Sequence, residues 1–282
     1  MVNVNARLIC CCLLSLFAMR NGFAADYTLL PSPQTVHIGY FSAALKPALT
    51  IESGDTVTIE TTTHIEPEEI DRSGVVPPSA VPEYVRAIYR DVKERGPSVH
   101  ILTGPVFVNG AQPGDVLEVH IQAVDLAIDY GFNRQRPYAG ALPQEFPGAF
   151  LRVIPIDRQA KTATVAPGVV VPATKPFFGT MGLAPLPSMG RISSGPPGIH
   201  AGNLDNKDLI AGSTLYLPVY TAGGLFSVGD AHAAQGERTY GPPGENGAFE
   251  PPLRVYHLFN FRAHCEAYIE MLRELRVHKR KL

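Results

Sequence analysis

The sequence predicts a mainly β protein, a barrel or a set of stacked sheets with a few helices. Three observations carry that expectation. Gly and Pro each occur 26 times in 282 residues and Trp is absent, a mix that suits a loop-rich β chain better than a helix bundle. Apolar and polar side chains alternate in several short stretches. A turn of small, Gly and polar residues precedes three of those stretches, as related strand entries in a barrel or stacked sheets would require. With 45% hydrophobic residues the chain can bury a sizeable core.

The N-terminal 25 residues stand apart. Arg7 is followed by an apolar run over 8–19, then by Arg20 and the small residues Gly22, Ala24 and Ala25. This reads as a secretory signal peptide cleaved near Ala25, so the chain is expected to be exported, periplasmic or secreted. The apolar run is short for a membrane span, and no stable membrane association is expected. Cleavage would remove Cys10, Cys11 and Cys12 and leave Cys265 alone, with no internal disulfide. It would also leave 22 basic against 26 acidic residues, a net charge of −4, from −2 for the whole chain. Neither value makes an electrostatic case for nucleic acid.

The remaining elements follow in order. "ALTIESGDTVTIETT" (48–62) reads as two short strands around a Gly turn, with Val57, Ile59 and Thr61 alternating. Val81, Tyr84, Val85, Ile88, Tyr89 and Val92 keep helical spacing, with Ser79 placed to cap the start and Gly96-Pro97 to stop it. "QPGDVLEVHIQAVD" (112–125) sets Leu117, Val119, Ile121 and Ala123 on one strand face. The stretch 149–168 reads as a hairpin, and 210–219 repeats the turn-then-strand pattern. Segments 129–149, 172–206 and 236–252 read as long Gly/Pro loops, of the length that compact domains keep for function or leave disordered. A second helix is expected near 262–276, striped by Cys265, Tyr268, Leu272 and Leu275. No linker is evident, so the expected organisation is one β-rich domain over 26–240, followed by a partly helical tail over 241–282.

The chemistry gathers in a few places. "SVGDAHAAQGE" (227–237) has no side chain but Val228 that fills a core, yet carries Asp230, His232, Gln235 and Glu237. Asp230 and His232 are two apart, and in extended structure both side chains share one face. A carboxylate and an imidazole there make half of a site for zinc or a similar divalent ion. Glu237 is close enough in sequence to serve as a further ligand or a general base. The bland alternative is a polar turn in which Asp230 caps backbone amides. "GPPGIHAGNLDNKDLIAGS" (195–213) adds His200 and Asp205 as possible ligands, and Asn203 and Asn206 as donors to a substrate oxygen. His64 and His100 border predicted strands, where histidines converge on a barrel mouth or serve the structure. His37, His120, His257, His264 and His278 read as structural or surface residues.

Four stretches together resemble the acetamidase/formamidase family: "HILTGPVFVNGAQPGDVLEVHI", "PFFGTMGLAP", "GNLDNKDLIAGSTLYLPV" and "LFSVGDAHAAQG". The match runs over about residues 33–237. The resemblance implies a β-rich fold, hydrolysis of short linear amides such as formamide and acetamide to acid and ammonia, and a homo-oligomer. It sets the family's Asp of "GNLDN" on Asp205 and the family's residues of "GDAHAAQG" on Asp230, His232 and Gln235. His64 and His100 fall where similar family members carry histidine. The implied site is a divalent metal, zinc, on Asp230, His232, Asp205, His64 and His100, with Glu237, His200 and Asn203 in catalytic roles.

The family pattern continues from "GDAHAAQG" into an Asp-Gly-Glu sequence and further strands, whereas here Gly236 runs to Glu237 and a tail ending in Arg276, Lys279, Arg280 and Lys281. That departure keeps open a second reading, an inactive binding protein or subunit on the same fold. A third reading, a serine amidase, is prompted by Ser193 and Ser194 in "ISSGPPG".

Overall fold

The computed structural model describes residues 24–138, 144–145 and 147–235. The expectations for the leader through residue 23, for Glu237 and for the tail from 241 onward lie outside those residues. In chain order the strands are β1 (Asp26–Leu29), β2 (Val36–Ile38), β3 (Tyr40–Ser42), β4 (Leu49–Ile51), β5 (Thr56–Ile59), β6 (Ile101–Val108), β7 (Val116–His120) and β8 (Tyr130–Gln135). They continue as β9 (Phe150–Asp157), β10 (Thr162–Ala166), β11 (Val169–Pro172), β12 (Phe177–Gly182), β13 (Arg191–Ser193), β14 (Ala201–Asn203), β15 (Thr214–Pro218) and β16 (Phe226–His232). Two α-helices, α1 (Pro67–Ser73) and α2 (Glu83–Asp91), complete the regular structure of the described residues, with short 3-10 turns at Pro78–Ala80 and Pro187–Met189. The mainly β expectation holds.

A six-stranded sheet forms the centre, in the order β14-β12-β16-β6-β2, with β4 added parallel to β6. The pair β7–β15 packs on one face. Ile121, Leu217 and Val219 from that side meet Val106, Met181, Leu183, Phe226 and Val228 of the centre. On the other face Ile88 of α2 packs against Ile38 and Ile101. Strands covered on both sides lose their alternation. In β6 all residues but Phe107 are buried, and in β12 all but Phe178. β7, with one face in water, keeps the alternation that 112–125 showed. A second sheet, β8-β9-β10-β11, is antiparallel throughout. Its Tyr130 and Val153 bury against Ile65, Ile70, Val81 and Val85 around the helices.

Several expectations need correction. The strands of 48–62 form, but β4 joins β6 and β5 pairs parallel with β1, so the Gly turn sends them to different sheets. α2 starts after Pro82, with no side-chain cap, and Ser79 sits in the preceding 3-10 turn. α2 also ends at Asp91, well before Gly96, whose N–H instead donates to the Ile38 carbonyl at 2.7 Å. A side chain at Gly96 would strike the Gly39 backbone at 2.6 Å, so this glycine serves a close approach rather than a helix stop. The Gly/Pro segments 129–149 and 172–206 are not plain loops: they hold β8, β12, β13 and β14. α1 had gone unread. Glu69 accepts from the Glu66 N–H, Pro67 opens the first turn and Gly74 closes the helix at φ 64°.

Candidate functional site

The antiparallel ladders β12–β16 and β16–β6 bring the start of β12, the end of β16 and the start of β6 to one edge of the central sheet. The ladder β12–β14 adds the end of β14, and Asp205 follows two residues later. Residues far apart in sequence therefore meet there.

Asp205, Asp230 and His232 each offer a ligand atom, all within 4.8 Å of one another. His232 Nε2 lies 3.4 Å from Asp205 Oδ1 and 3.5 Å from Asp230 Oδ2. His64 Nδ1 is 3.5 Å from Asp230 Oδ1, and His100 Nε2 is 3.7 Å from Asp230 Oδ2. His64, His100 and His232 thus surround the Asp230 carboxylate, and Asp205 joins them through His232, so the five residues that the resemblance implied as ligands come together.

The backbone that presents the acids is unusual. Asp205 and Asp230 take the left-handed region at φ 46° and 54°. Among residues with a side chain, Asp and Asn tolerate that region best, and such conformations gather at functional sites. Asp230 still meets His232, although it leaves the extended path assumed from their spacing. The Gly179 carbonyl accepts from the N–H groups of Leu204 and Asp205, at 2.8 and 3.0 Å, and pins the second acid to β12. The Gln235 side-chain amide donates to the Asp205 carbonyl at 3.4 Å, which gives the last polar residue of the 227–235 stretch a part in the same edge.

Gly179 also decides whether an ion fits. A Cβ there would lie 2.6 Å from Asp205 Oδ1 and 2.8 Å from both Asp230 Oδ2 and His232 Nε2. The space that this missing carbon leaves is bounded by two carboxylates and an imidazole, a donor set suited to a divalent cation. Spacing alone gave Gly179 no signal, because a glycine among Gly/Pro-rich residues reads as a turn.

The electrostatics agree. Burial alone would raise the Asp230 carboxyl, but the hydrogen bond and the charge of His232 outweigh it and hold the group below the usual carboxylate range. Burial alone would lower His232, and Asp205 with Asp230 outweigh it and raise the imidazole. Two close carboxylates thus recruit a positive charge. For His64 burial dominates over the Asp230 charge and brings its pKa down to about 4, so it stays neutral at pH 7. Phe132 meets the His64 ring edge-on at 4.9 Å, and Phe177 lies 4.8 Å from the His232 ring.

The three residues given catalytic roles lie differently. The His200 ring packs on Phe41 at 4.9 Å, and its Nε2 is buried with no hydrogen-bond partner. The structure does not bring it into the cluster. The Asn203 amide donates to the Gly195 carbonyl at 3.0 Å, and its Oδ1 accepts from Thr180 Oγ1 at 3.0 Å, so its contacts are internal. Asn206 accepts from the Asp208 N–H at 3.0 Å in an Asx turn. Glu237 lies beyond the described residues. Phe177, which flanks the His232 ring, stands in "PFFGTMGLAP", one of the stretches that carry the resemblance, whereas Phe132 has no signal in the sequence.

The family model for acetamidase/formamidase proteins matches residues 40–195 and 192–241. The chain belongs to that family. Among relatives, a formamidase of Methylophilus methylotrophus is 31% identical over 189 residues, covering 49% of this chain and 46% of the relative. The chain therefore spans about half the length of the curated relatives it matches. Among solved structures, a predicted acetamidase/formamidase of Thermoanaerobacter tengcongensis is 30% identical with a TM-score of 0.60, covering 76% of this chain and 63% of that one. An acetamidase of Bacillus halodurans is 29% identical with a TM-score of 0.57, covering 74% and 63%.

Proposed function

We propose that this acetamidase/formamidase family member hydrolyses short linear carboxylic amides, of the formamide and acetamide kind, to carboxylate and ammonia with a divalent ion, zinc, held by Asp205, Asp230 and His232. The observation that carries the reading is the cluster itself: three ligand atoms within 4.8 Å, around the space that Gly179 leaves open. A divalent ion held there supplies polarisation of the amide carbonyl and acidifies water toward neutrality. The chain's own groups do the rest. Asp205 and Asp230 provide the negative charge that draws the cation. His64, neutral and beside Asp230, offers a hydrogen-bonding edge where a small substrate would enter, and Phe132 keeps that edge oriented. Glu237, five residues after His232, is the acid we assign to carry a proton from water to the leaving nitrogen. We also assign the chain to the exported proteins, on the leader alone.

The test uses the whole chain after dialysis into metal-free buffer. Zinc content and ammonia release from formamide and acetamide are measured for the wild type and for Asp230→Asn. Stoichiometric zinc with ammonia release, both lost in the variant, is the expected result. Full activity in Asp230→Asn would overturn the mechanism. Zinc binding without ammonia release from either amide would favour the binding-protein reading.

A further inference from the structure

The Ser193–Ser194 motif has so far no part in this site, yet Ser194 touches it. Ser194 is fully buried, and both its carbonyl oxygen and its Oγ lie against His100 Nδ1, at 3.0 and 3.1 Å. The opposite nitrogen, Nε2, is the one 3.7 Å from Asp230. A main-chain carbonyl can only accept. An unprotonated Nδ1 would set two lone pairs against each other at 3.0 Å in a buried place, so Nδ1 must carry the hydrogen. In the neutral ring Nε2 is then bare and faces the acids.

The segment bearing Ser194 is itself fixed. The Ser194 N–H donates to the Gly39 carbonyl at 3.1 Å. The next carbonyl, of Gly195, accepts from the Asn203 side chain at 3.0 Å, and Gly195 N–H donates to Ser193 Oγ at 3.1 Å. A continuous chain of contacts thus runs from Thr180 through Asn203, Gly195 and Ser194 to His100.

We propose that Ser194 is a positioning residue that locks His100 as its Nδ1–H tautomer and aims the Nε2 lone pair at the cation site beside Asp230. Asn203 supports it by holding the Gly195 carbonyl. The consequence for ion affinity rests on the functional reading above, whereas the tautomer does not. A fully buried hydroxyl with a histidine beside it superficially resembles a nucleophile with its base. Here the carbonyl contact requires Nδ1 to donate, so His100 cannot take the Ser194 proton through that nitrogen.

Two measurements on the full chain test this. Long-range ¹H–¹⁵N correlation spectra of the metal-free protein report the His100 tautomer, assigned by the signals lost in His100→Gln. Titration with Zn²⁺ alone compares the wild type with Ser194→Ala. Ser194→Ala keeps the carbonyl and loses only the hydroxyl, so the expected results are an Nδ1–H tautomer in both proteins and zinc affinity reduced about 10-fold or more in the variant. An Nε2–H tautomer in the wild type overturns the proposal, as does a variant whose zinc affinity matches the wild type within about twofold. If Ser194→Ala does not fold, the wild-type tautomer decides. If the wild type binds no zinc, the cation reading fails by itself, and the wild-type tautomer still decides whether residue 194 holds His100 as Nδ1–H.

Discussion

Lowering the pH from 7 to 5 should weaken this fold through two histidines that lie outside the cluster. His37 and His200 are 4% and 3% exposed, and Phe41 contacts both rings, at 6.0 and 4.9 Å. Burial is the main cause that brings each pKa down to about 4, with a Tyr40 backbone hydrogen bond opposing it for His37. In the unfolded chain both titrate near the ordinary 6.5. Between those values the unfolded state binds more protons, so stability falls as pH falls through the window and levels off below about 4. From pH 7 to 5 each group then removes about 2 kcal/mol, or about 4 kcal/mol together. A domain has only about 5–15 kcal/mol in total. With a urea slope of about 2 kcal/mol/M, the midpoint should drop by about 2 M. The assay is urea unfolding followed by circular dichroism at both pH values, for the wild type and for His37→Gln. Glutamine can keep the hydrogen bond that His37 Nε2 shares with Ser227 Oγ at 3.0 Å, and it does not titrate. The stability lost between pH 7 and 5 should shrink by about 2 kcal/mol in the variant. Equal losses in the two proteins would refute the reasoning, whatever other groups contribute.

Three further outcomes are expected. Gly179→Ala should weaken zinc binding by about 100-fold or more, as the added carbon would lie within 2.8 Å of three ligand atoms. Gly179 has no positive φ, so the added carbon strains no backbone, but it overlaps three side chains and should lower the melting temperature of the metal-free variant as well; stoichiometric zinc in it would contradict the site. Ile88→Ala deletes a fully buried side chain between α2 and the central sheet, and should cost about 2–5 kcal/mol in urea unfolding, with the zinc stoichiometry of the surviving folded protein unchanged. Chelation should abolish ammonia release, and zinc added back should restore it; activity that survives exhaustive chelation would remove the ion from the mechanism.

The sequence disclosed some parts of this molecule because one face of an element lies in water. β7 alternates for that reason, and the stripe of α2 is visible because its far side is exposed. β12 and β14 were hidden for the opposite reason. "FFGTMG" and "AGN" are covered on both sides or consist of small residues, so no period survives, and their glycines read as turns. Asp230 and His232 were legible together because they share one strand end. Asp205 joined them only through the order of strands in the central sheet, which spacing along a chain does not encode. Ser194 was noticed for its hydroxyl, whereas its closest contact to His100 is made by a carbonyl, a group that every residue carries.

The left-handed backbone at Asp205 and Asp230 also bears on how such a site can decay. Most replacements there would meet a double obstacle, a lost charge and a strained main chain. Asparagine meets only the first, and in the genetic code it lies one base from aspartate, GAY to AAY. A lineage released from selection for catalysis therefore has a short, fold-preserving path to silence through Asn at either position. Sequences drifting along that path would keep the central sheet, the glycine opening and the histidines while losing the charge that draws a cation.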